Sequence, residues 1–344
     1  MFWYIGFISV LTFLLSFFGC RLAIGVLSKK KILDKPNLRS SHSTAIPIGA
    51  GVVIIFIILL YIFLFTSINF FIYSSFDFSN LLLFISVLTL GYISWRDDLN
   101  STSRFFRIIF HIIAAGIGVN CLSEPGIVFQ GIFPNFIDII LTIILWVWII
   151  NLTNFMDGID GITSIEGISI FFGSLIIFLL IGETLEFNNS SFITTFLIII
   201  TCALIGFLFW NWYPAKIFLG DVGSIPIGFL IGWIIFELAI IELWHVSLLL
   251  PMYYFFDSTL TLLNRMFRRE KIFDAHRKHF YQKVTNIYQH SKIVIYISIL
   301  NTFLIILSIV GTLNNNLKNI VVFIGLILTS LMVLFFQIAS KRFK

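Results

Sequence analysis

The sequence contains five aspartates beside the ends of apolar segments, where their carboxylates could bind a cation. They are Asp97, Asp98, Asp157, Asp160 and Asp221. Hard divalent cations such as Mg²⁺ prefer oxygen ligands and usually share them with phosphate groups. An acid near hydrocarbon is costly, which makes each of these positions a functional candidate. Together they favour a metal-assisted reaction of a phosphate compound over five unrelated solvated loop residues.

Two of the polar motifs surround these acids. Asp97 and Asp98 are adjacent, so their charges repel unless a cation or basic group lies near. The pair suits either metal binding or proton transfer from a phosphate group. The stretch from Asn151 to Gly161 holds two Asn, two Asp and two Gly within eleven residues. Its glycines permit close approach of the backbone to a ligand, and a plain turn would need fewer polar groups.

A third motif runs from Asn211 to Ser224 and leads into an apolar segment. Asp221 and Ser224 therefore lie where a helix N-terminus would expose free N–H groups to an anion. Phe218, in the same motif, could stack on a nucleobase.

The fourth motif lies in a long basic loop and contains His276, Arg277 and His279. Arg makes bidentate contacts with phosphate oxygens, so the group suits a diphosphate. The alternative interpretation, a solvated stop-transfer loop, explains the other basic residues of the loop better than it explains the two histidines.

The composition requires a membrane. Of 344 residues, 59% are hydrophobic and 11% are charged, whereas soluble domains have about 25% charged residues. The apolar runs are continuous and about 20 residues long, which predicts membrane-spanning helices and not a barrel. Eleven segments are predicted, at 3–26, 48–73, 78–95, 105–122, 136–153, 162–181, 192–210, 225–241, 246–264, 292–312 and 320–340. We expect an all-α polytopic membrane protein with one domain over residues 1–344 and no cleavable signal peptide.

The basic residues predict the orientation. With the N-terminus outside and Arg21 set aside, only Lys318 of the 22 Lys and Arg residues falls in an outside loop. Basic residues concentrate in cytoplasmic loops. All four motifs then face the cytoplasm, together with the C-terminus. The basic face suits anionic lipid headgroups and anionic substrates, and nucleic acid is not expected.

The order of the motifs carries a resemblance. The sequence DD, then NxxNxxDGxDG, then PAxxFxGDxGS, then a His-rich loop resembles the polyprenyl-phosphate N-acetylhexosamine-1-phosphate transferase family. That family includes the enzyme that makes the first lipid intermediate of peptidoglycan and the enzymes that initiate O-antigen. The form His-Arg-x-His-x-Tyr-Gln, from His276 to Gln282, is similar to the O-antigen branch.

The resemblance implies roles for the motif residues. The metal ligands would be Asp221 and Asn154. The acid pair near the metal and the attacking lipid phosphate would be Asp97 and Asp98. The uridine pocket would include Asp157, Gly158, Asp160 and Phe218. The diphosphate and the sugar would be bound by His276, Arg277 and His279.

The first cytoplasmic loop departs from the peptidoglycan branch. That branch has a Lys four residues before a Pro, and here Ser43 stands at the Lys position before Pro47. The segment ends Gly-Ala-Gly in place of Gly-Gly. A basic substrate contact from this loop would have to come from Arg39, His42 or Lys35.

The implied reaction transfers the sugar phosphate of a UDP-N-acetylhexosamine to undecaprenyl phosphate and releases UMP. Mg²⁺ is the expected cofactor, with Mn²⁺ as a substitute, and the expected location is the bacterial inner membrane. A homodimer is compatible with the sequence. An Asp of the pair could deprotonate the lipid phosphate directly, or the reaction could pass through a phospho-aspartate.

The main alternative is a secondary transporter or lipid flippase. Transporters place ionisable groups near the membrane midplane, on broken helices related by internal repeats. Here the acids collect at one face and the two halves share no motif. Asp257 is the exception because it lies inside the ninth segment. It is predicted to line the active-site cleft from below, with a structural hydrogen bond as the alternative.

Overall fold

The computed structural model describes residues 2–36, 44–100, 102–182, 190–270 and 276–342. In these ranges the chain forms α-helices, one short 3₁₀ turn and two strands of two residues each. The helices are α1 (Phe2–Lys29), α2 (Gly51–Tyr73), α3 (Phe78–Leu99), α4 (Arg104–Val119), α5 (Asn135–Met156), α6 (Ile162–Ile181), α7 (Ser190–Asn211), α8 (Asp221–Ile240), α9 (Trp244–Leu249), α10 (Met252–Phe267), α11 (Phe280–Lys283), α12 (His290–Leu313) and α13 (Lys318–Arg342). The strands β1 (Leu33–Asp34) and β2 (Ile46–Pro47) pair antiparallel.

Nine helices in the described ranges are long and apolar enough to cross a bilayer. They are α1, α2, α3, α5, α6, α7, α8, α12 and α13. Large apolar side chains cover their outer faces; Phe71, for example, is 80% exposed and Phe323 is 64% exposed. So much exposed apolar surface needs lipid around it. The predicted all-α polytopic membrane fold is confirmed.

Each of the eleven predicted segments coincides with helical structure, but two of them are short. Helix α4 has 16 residues, which gives a length of about 24 Å. The ninth predicted segment is divided between α9 and α10, and the division falls at Pro251, a residue that has no N–H to continue a helix. The number of membrane crossings and the orientation therefore stay predictions.

Helix α8 lies at the centre of the fold. Every residue from Val222 to Ile240 is buried, and α8 contacts α2, α3 and α5. A Cβ atom at Gly232 would lie 2.5 Å from the Trp146 ring, so glycine is needed for α5 to approach this closely. The Trp146 indole N–H donates to the Phe229 carbonyl at 2.9 Å. Because α8 is packed along its whole length, its first residues cannot shift along the helix axis.

The ends of four helices meet on one side of this bundle. They are the C-terminal ends of α3 and α5 and the N-terminal ends of α4 and α8, and hydrogen bonds join their side chains. The first three polar motifs lie at these ends or directly after them. The structure therefore brings together the motifs that the charge pattern assigned to a common face.

Labelling of single cysteines tests the orientation and the crossing by α4. In a background without the three native cysteines, Glu124→Cys and Asn316→Cys should react with an impermeant thiol reagent outside intact cells. Asn100→Cys and Asn286→Cys should react only after the membrane is opened. Labelling of position 124 only from the inside would show that α4 does not cross.

Candidate active site

The start of α8 is held by Asp98, near the C-terminal end of α3. Its Oδ1 accepts the Asp221 N–H and its Oδ2 accepts the Val222 N–H, both at 3.0 Å. These are two of the N–H groups that lack a partner at a helix start, and the carboxylate also favours the positive end of the helix dipole. Gly220 has φ +77, and a Cβ there would lie 2.7 Å from Asp98 Oδ2. Asp98 therefore fixes the position of Asp221.

Arg107, in the first turns of α4, joins two of the predicted acids. Its Nη1 lies 2.7 Å from Asp97 Oδ2 and 2.9 Å from Asp221 Oδ2. The other oxygen of Asp97 accepts hydrogen bonds from the Thr102 N–H and hydroxyl, at 2.5 and 2.7 Å. The Asp97 side chain is 10% exposed, whereas those of Arg107 and Asp221 are 27% and 28% exposed. The positive charge of the guanidinium group thus offsets part of the negative charge of the two carboxylates, at a partly exposed edge of the helix bundle.

Asn154 completes what we call the acid cluster: Asp97, Arg107, Asn154 and Asp221. Its Nδ2 donates to Asp221 Oδ1 at 2.7 Å and to the Ser224 hydroxyl at 2.9 Å. The side chain reaches α8 from the last turn of α5. The two predicted metal ligands are therefore in direct contact.

The acid cluster fits a magnesium ion that takes most of its ligands from elsewhere. Within the described ranges, no group of three or more His, Cys, Asp or Glu residues has the geometry of a metal site. Mg²⁺, however, usually takes one or two carboxylates and completes its shell with water and phosphate oxygens. Asp97 and Asp221 already lie on either side of a positive group, and Asn154 adds an amide. The donor set is made of oxygens and is anionic, as a hard cation requires.

The segment that enters α2 docks on the third motif. The Phe218 N–H donates to the Pro47 carbonyl at 2.8 Å, and the Gly49 N–H donates back to the Phe218 carbonyl at 3.1 Å. A Cβ at Gly51 would lie 2.3 Å from the Gly223 backbone, and Gly49 has φ +115. The Gly-Ala-Gly ending therefore allows this loop to lie against the start of α8.

The basic contacts predicted from this loop remain predictions. Arg39 and His42 lie outside the described residues, and Lys35 is exposed. The Phe218 side chain is half-buried, and its stacking on a base also stays a prediction.

The fourth motif contacts the second motif through α11. The Tyr281 hydroxyl donates to the Met156 carbonyl at 2.9 Å. A Cβ at Gly158 would lie 2.5 Å from both the Tyr281 oxygen and Gln282 Nε2. Gly158 is therefore required for the docking of α11, and its part in a uridine pocket stays a prediction.

Asp157 lies between the acid cluster and α11. Burial raises the pKa of Asp157 to about 7, and the charges of Asp221 and Asp160 act in the same direction. This carboxyl can therefore exchange a proton near neutral pH. Its contact with uridine stays a prediction.

Asp160 is buried and is bound by two other segments of the chain. Its Oδ2 accepts the Ala215 N–H at 2.9 Å, and its Oδ1 lies 3.2 Å from His290 Nδ1. The carboxylate thus holds the segment before Phe218 in place, and its part in a uridine pocket stays a prediction. No sequence motif pointed to His290 as its partner.

The two histidines of the fourth motif contact each other. Burial and the neighbouring positive charges lower the pKa of His276 to about 4. It is therefore neutral at pH 7, and its contact with a diphosphate stays a prediction. The His276 ring stacks on His279, with centroids 5.0 Å apart, and Arg277 Nη2 donates to the Thr285 hydroxyl at 3.2 Å.

His279 is buried with its Nδ1 3.0 Å from Asp257 Oδ1. Asp257 is fully buried, with 0% exposure, and its carboxylate is surrounded by donors. The prediction that Asp257 lines the cleft is therefore wrong, and the alternative of a structural hydrogen bond is correct.

Comparison with known proteins agrees with this arrangement. The sequence profile of glycosyl transferase family 4 matches residues 80–239, which include Asp97, Asp98, Asn154 and Asp221. Residues 80–239 are therefore similar to glycosyl transferase family 4. The matched part runs from α3 to α8 and contains the whole acid cluster.

Similar proteins have names that specify a substrate. An undecaprenyl-phosphate alpha-N-acetylglucosaminyl 1-phosphate transferase of Thermotoga maritima is 28% identical over 273 residues, 77% of each chain. A protein of Bacillus subtilis named probable undecaprenyl-phosphate N-acetylglucosaminyl 1-phosphate transferase is 23% identical over 267 residues, 74% of this chain and 70% of the relative. A phospho-N-acetylmuramoyl-pentapeptide-transferase of Shouchella clausii is 32% identical over 166 residues, 43% of this chain and 49% of the relative. The match to the last of these thus covers about half of its length.

The sequence motifs did not identify Arg107 as part of the acid cluster. In the charge pattern Arg107 was one of several basic residues of a cytoplasmic loop. The one feature that could have identified it is its position ten residues after Asp97, which places it at the start of the next helix. Thr102 was missed as well, because a threonine in a short loop has no distinctive pattern.

The raised pKa of Asp157 predicts a dependence of stability on pH. An unfolded aspartate titrates near pH 3.9, roughly, whereas Asp157 in the folded protein titrates at about 7. The unfolded chain therefore loses this proton first, and the folded state loses stability as the pH rises from about 4 to 7. Asp157→Asn should raise the melting temperature of the detergent-solubilised protein by a few degrees above pH 7 and leave it unchanged near pH 4.

Melting curves of both proteins across this pH range check the prediction. Glu124→Gln, which changes an exposed acid, is the matched control and should follow the wild-type profile. A difference between wild type and Asp157→Asn that is the same at every pH would contradict the assigned titration.

Proposed function

We propose that this protein transfers an N-acetylhexosamine 1-phosphate from a UDP-sugar to undecaprenyl phosphate. The observation that supports this most is the acid cluster at an edge of the bundle, in which Asp97 and Asp221 contact the Arg107 guanidinium and Asn154 donates to Asp221. The names of the Thermotoga and Bacillus relatives specify undecaprenyl phosphate and an N-acetylglucosaminyl 1-phosphate group. These names support the general activity, transfer of a sugar phosphate to a polyprenyl phosphate; the UDP-N-acetylhexosamine donor is the more specific part of the proposal.

The reaction is a displacement at phosphorus. An oxygen of the lipid phosphate attacks the β-phosphorus of the UDP-sugar, and the bond from that phosphorus to the oxygen of UMP breaks. Phosphoryl transfer depends mainly on positioning and on neutralising charge. Asp221 and Asn154 would hold Mg²⁺, which supplies positive charge beside the diphosphate. Arg107 lies close enough to compensate the remaining negative charge.

The two acids of the DD pair have different positions and should have different roles. Both oxygens of Asp98 are bound to backbone N–H groups of α8, so Asp98 positions Asp221. Asp97 accepts the Thr102 N–H and hydroxyl on Oδ1, whereas its Oδ2 faces the Arg107 side chain, which can move when a substrate binds. Asp97 is therefore the better candidate to take a proton from the lipid phosphate.

The proposed location is the inner membrane of a bacterium, with the site on the cytoplasmic face, where UDP-sugars are made. The distribution of basic residues supports this orientation. Initiation of a cell-surface glycan such as O-antigen fits the form of the fourth motif.

The direct test incubates purified protein with undecaprenyl phosphate and a panel of UDP-N-acetylhexosamines, and measures UMP. We expect UMP release with at least one donor, only when the lipid phosphate is present. The absence of UMP with every donor, from folded protein in lipid, would refute the proposal.

A dependence on a divalent cation is the first specific prediction. Excess chelator should stop UMP release, and Mg²⁺ or Mn²⁺ should restore it. Asp221→Asn should lower the rate to background because it removes a charged oxygen ligand from the acid cluster. Asp77→Asn is the matched control: Asp77 caps the far end of α3, and Asn caps a helix equally well. Activity that persists in excess chelator would remove the metal from the reaction.

The DD pair yields a second prediction, which separates catalysis from stability. Asp97→Asn should lower kcat by about 100-fold, the range for loss of a general base, with KM for the UDP-sugar changed much less and a smaller loss of melting temperature than in Asp98→Asn. Asp98→Asn should lower kcat and also the melting temperature, because an amide has one oxygen for the two N–H groups of α8. A raised KM as the sole defect of Asp97→Asn would place that residue at the nucleotide.

A further inference from the structure

The fourth motif depends on one buried carboxylate outside the motifs. Asp257, in α10, accepts the Phe280 N–H on Oδ1 at 3.1 Å and the Tyr281 N–H on Oδ2 at 3.2 Å. These are the first N–H groups of α11, which has only four residues and is too short to be stable alone. Asp257 thus fixes α11 to α10.

The same carboxylate orients His279. Asp257 Oδ1 lies 3.0 Å from His279 Nδ1. A carboxylate that already accepts backbone N–H groups can only accept from the imidazole as well, so Nδ1 must have the proton. The other ring nitrogen, Nε2, then points away from Asp257.

Two polar atoms at this place have no partner within the described residues. They are His279 Nε2 and Gln282 Oε1. Both side chains are more than nine-tenths buried, with exposures of 2% for His279 and 8% for Gln282. A buried polar atom without a hydrogen bond is costly, so the pair indicates a ligand with polar groups. A Cβ at Gly158 of the second motif would lie 2.5 Å from Gln282 Nε2, so the Gln282 amide lies beside the candidate active site.

We propose that Asp257 is a positioning residue that presents His279 Nε2, next to Gln282 Oε1, to the sugar half of the substrate. This inference rests on the proposed function. Gln282 Oε1 can only accept, and an imidazole whose single proton is on Nδ1 also accepts at Nε2. The matching donors are the hydroxyl and N-acetyl N–H groups of the sugar. Uridine diphosphate has ribose hydroxyls but lacks the hydroxyls and the N-acetyl group of the hexosamine.

The protonation of His279 tests the geometry without any assay of activity. The protein has six histidines, so ¹⁵N-histidine labelling of the full chain in lipid nanodiscs gives few signals, and His279→Gln identifies the one that belongs to His279. In the wild type, Nδ1 should have the proton. In Asp257→Asn, the amide can donate to Nδ1, and the proton should move to Nε2. An unprotonated Nδ1 in the wild type would overturn the inference.

Kinetics test the link to the sugar. Asp257→Asn should lower kcat/KM for the UDP-sugar by about 10- to 100-fold, the loss found when the carboxylate behind a functional metal-bound imidazole is removed. The affinity for uridine diphosphate should change less than about twofold. Because Asp257 acts through His279, adding Asp257→Asn to His279→Gln should cause no further loss. If the fold-losses in kcat/KM of the two single variants multiply in the double variant, the inference is overturned.

Tyr253→Phe is the matched control. The Tyr253 hydroxyl donates to Asp257 Oδ2 at 3.1 Å, so the substitution disturbs the same carboxylate and leaves its contact with His279. It should change kcat/KM by less than about twofold and leave the His279 spectrum unchanged. If it matches Asp257→Asn in both measurements, Asp257 only stabilises the fold.

The outcomes separate this inference from the proposed function. If the wild type releases no UMP from any donor, the proposed function fails, and the wild-type spectrum still decides the position of the proton on His279. If the wild type is active and Nδ1 is unprotonated, the inference fails alone. The spectrum of the wild type needs no Asp257 variant, so a variant that fails to fold leaves the test in place.

Discussion

Two carboxylates beside a membrane repel each other unless a positive group lies between them, and here that group is the Arg107 guanidinium. Its Nη1 contacts Asp97 at 2.7 Å and Asp221 at 2.9 Å. Because the three residues belong to α3, α4 and α8, this one interaction joins three helix ends. A divalent cation can satisfy the same electrostatic requirement with more charge and with free coordination positions for phosphate. The arrangement that stabilises the protein is therefore also the arrangement that a diphosphate substrate needs.

The acids near the site fall into two groups according to their partners. Asp98, Asp160 and Asp257 accept backbone N–H groups, and each fixes one segment: the start of α8, the segment before Phe218, and α11. Asp97 and Asp221 both contact the Arg107 side chain and remain partly exposed, and Asp97 also accepts the Thr102 N–H. The first group therefore fixes backbone segments around the site, whereas the second group joins helix ends at an exposed edge.

Much of the architecture followed from the sequence, because apolar length and basic residues report directly on a membrane helix and its ends. The convergence of three motifs followed as well, since the same charge pattern put them on one face. Other features did not follow. A sequence shows that Asp160 and Asp257 are acids but not which N–H groups their side chains reach. For the same reason, Arg107 could not be told apart from the other loop cations. The division of the ninth segment at Pro251 was not predicted, because the mean hydropathy of a long window does not reveal a single residue at which a helix ends.

The central claim is that the acid cluster binds a cation together with the diphosphate of the donor. Electron spin echo spectroscopy of Mn²⁺ added to the purified protein with a UDP-N-acetylhexosamine tests it most directly, because phosphorus nuclei bonded through oxygen to Mn²⁺ give a characteristic ³¹P coupling. The account predicts this coupling in the wild type and its absence in Asp221→Asn. Mn²⁺ that binds the wild type without ³¹P coupling, or that keeps the coupling in Asp221→Asn, would contradict it.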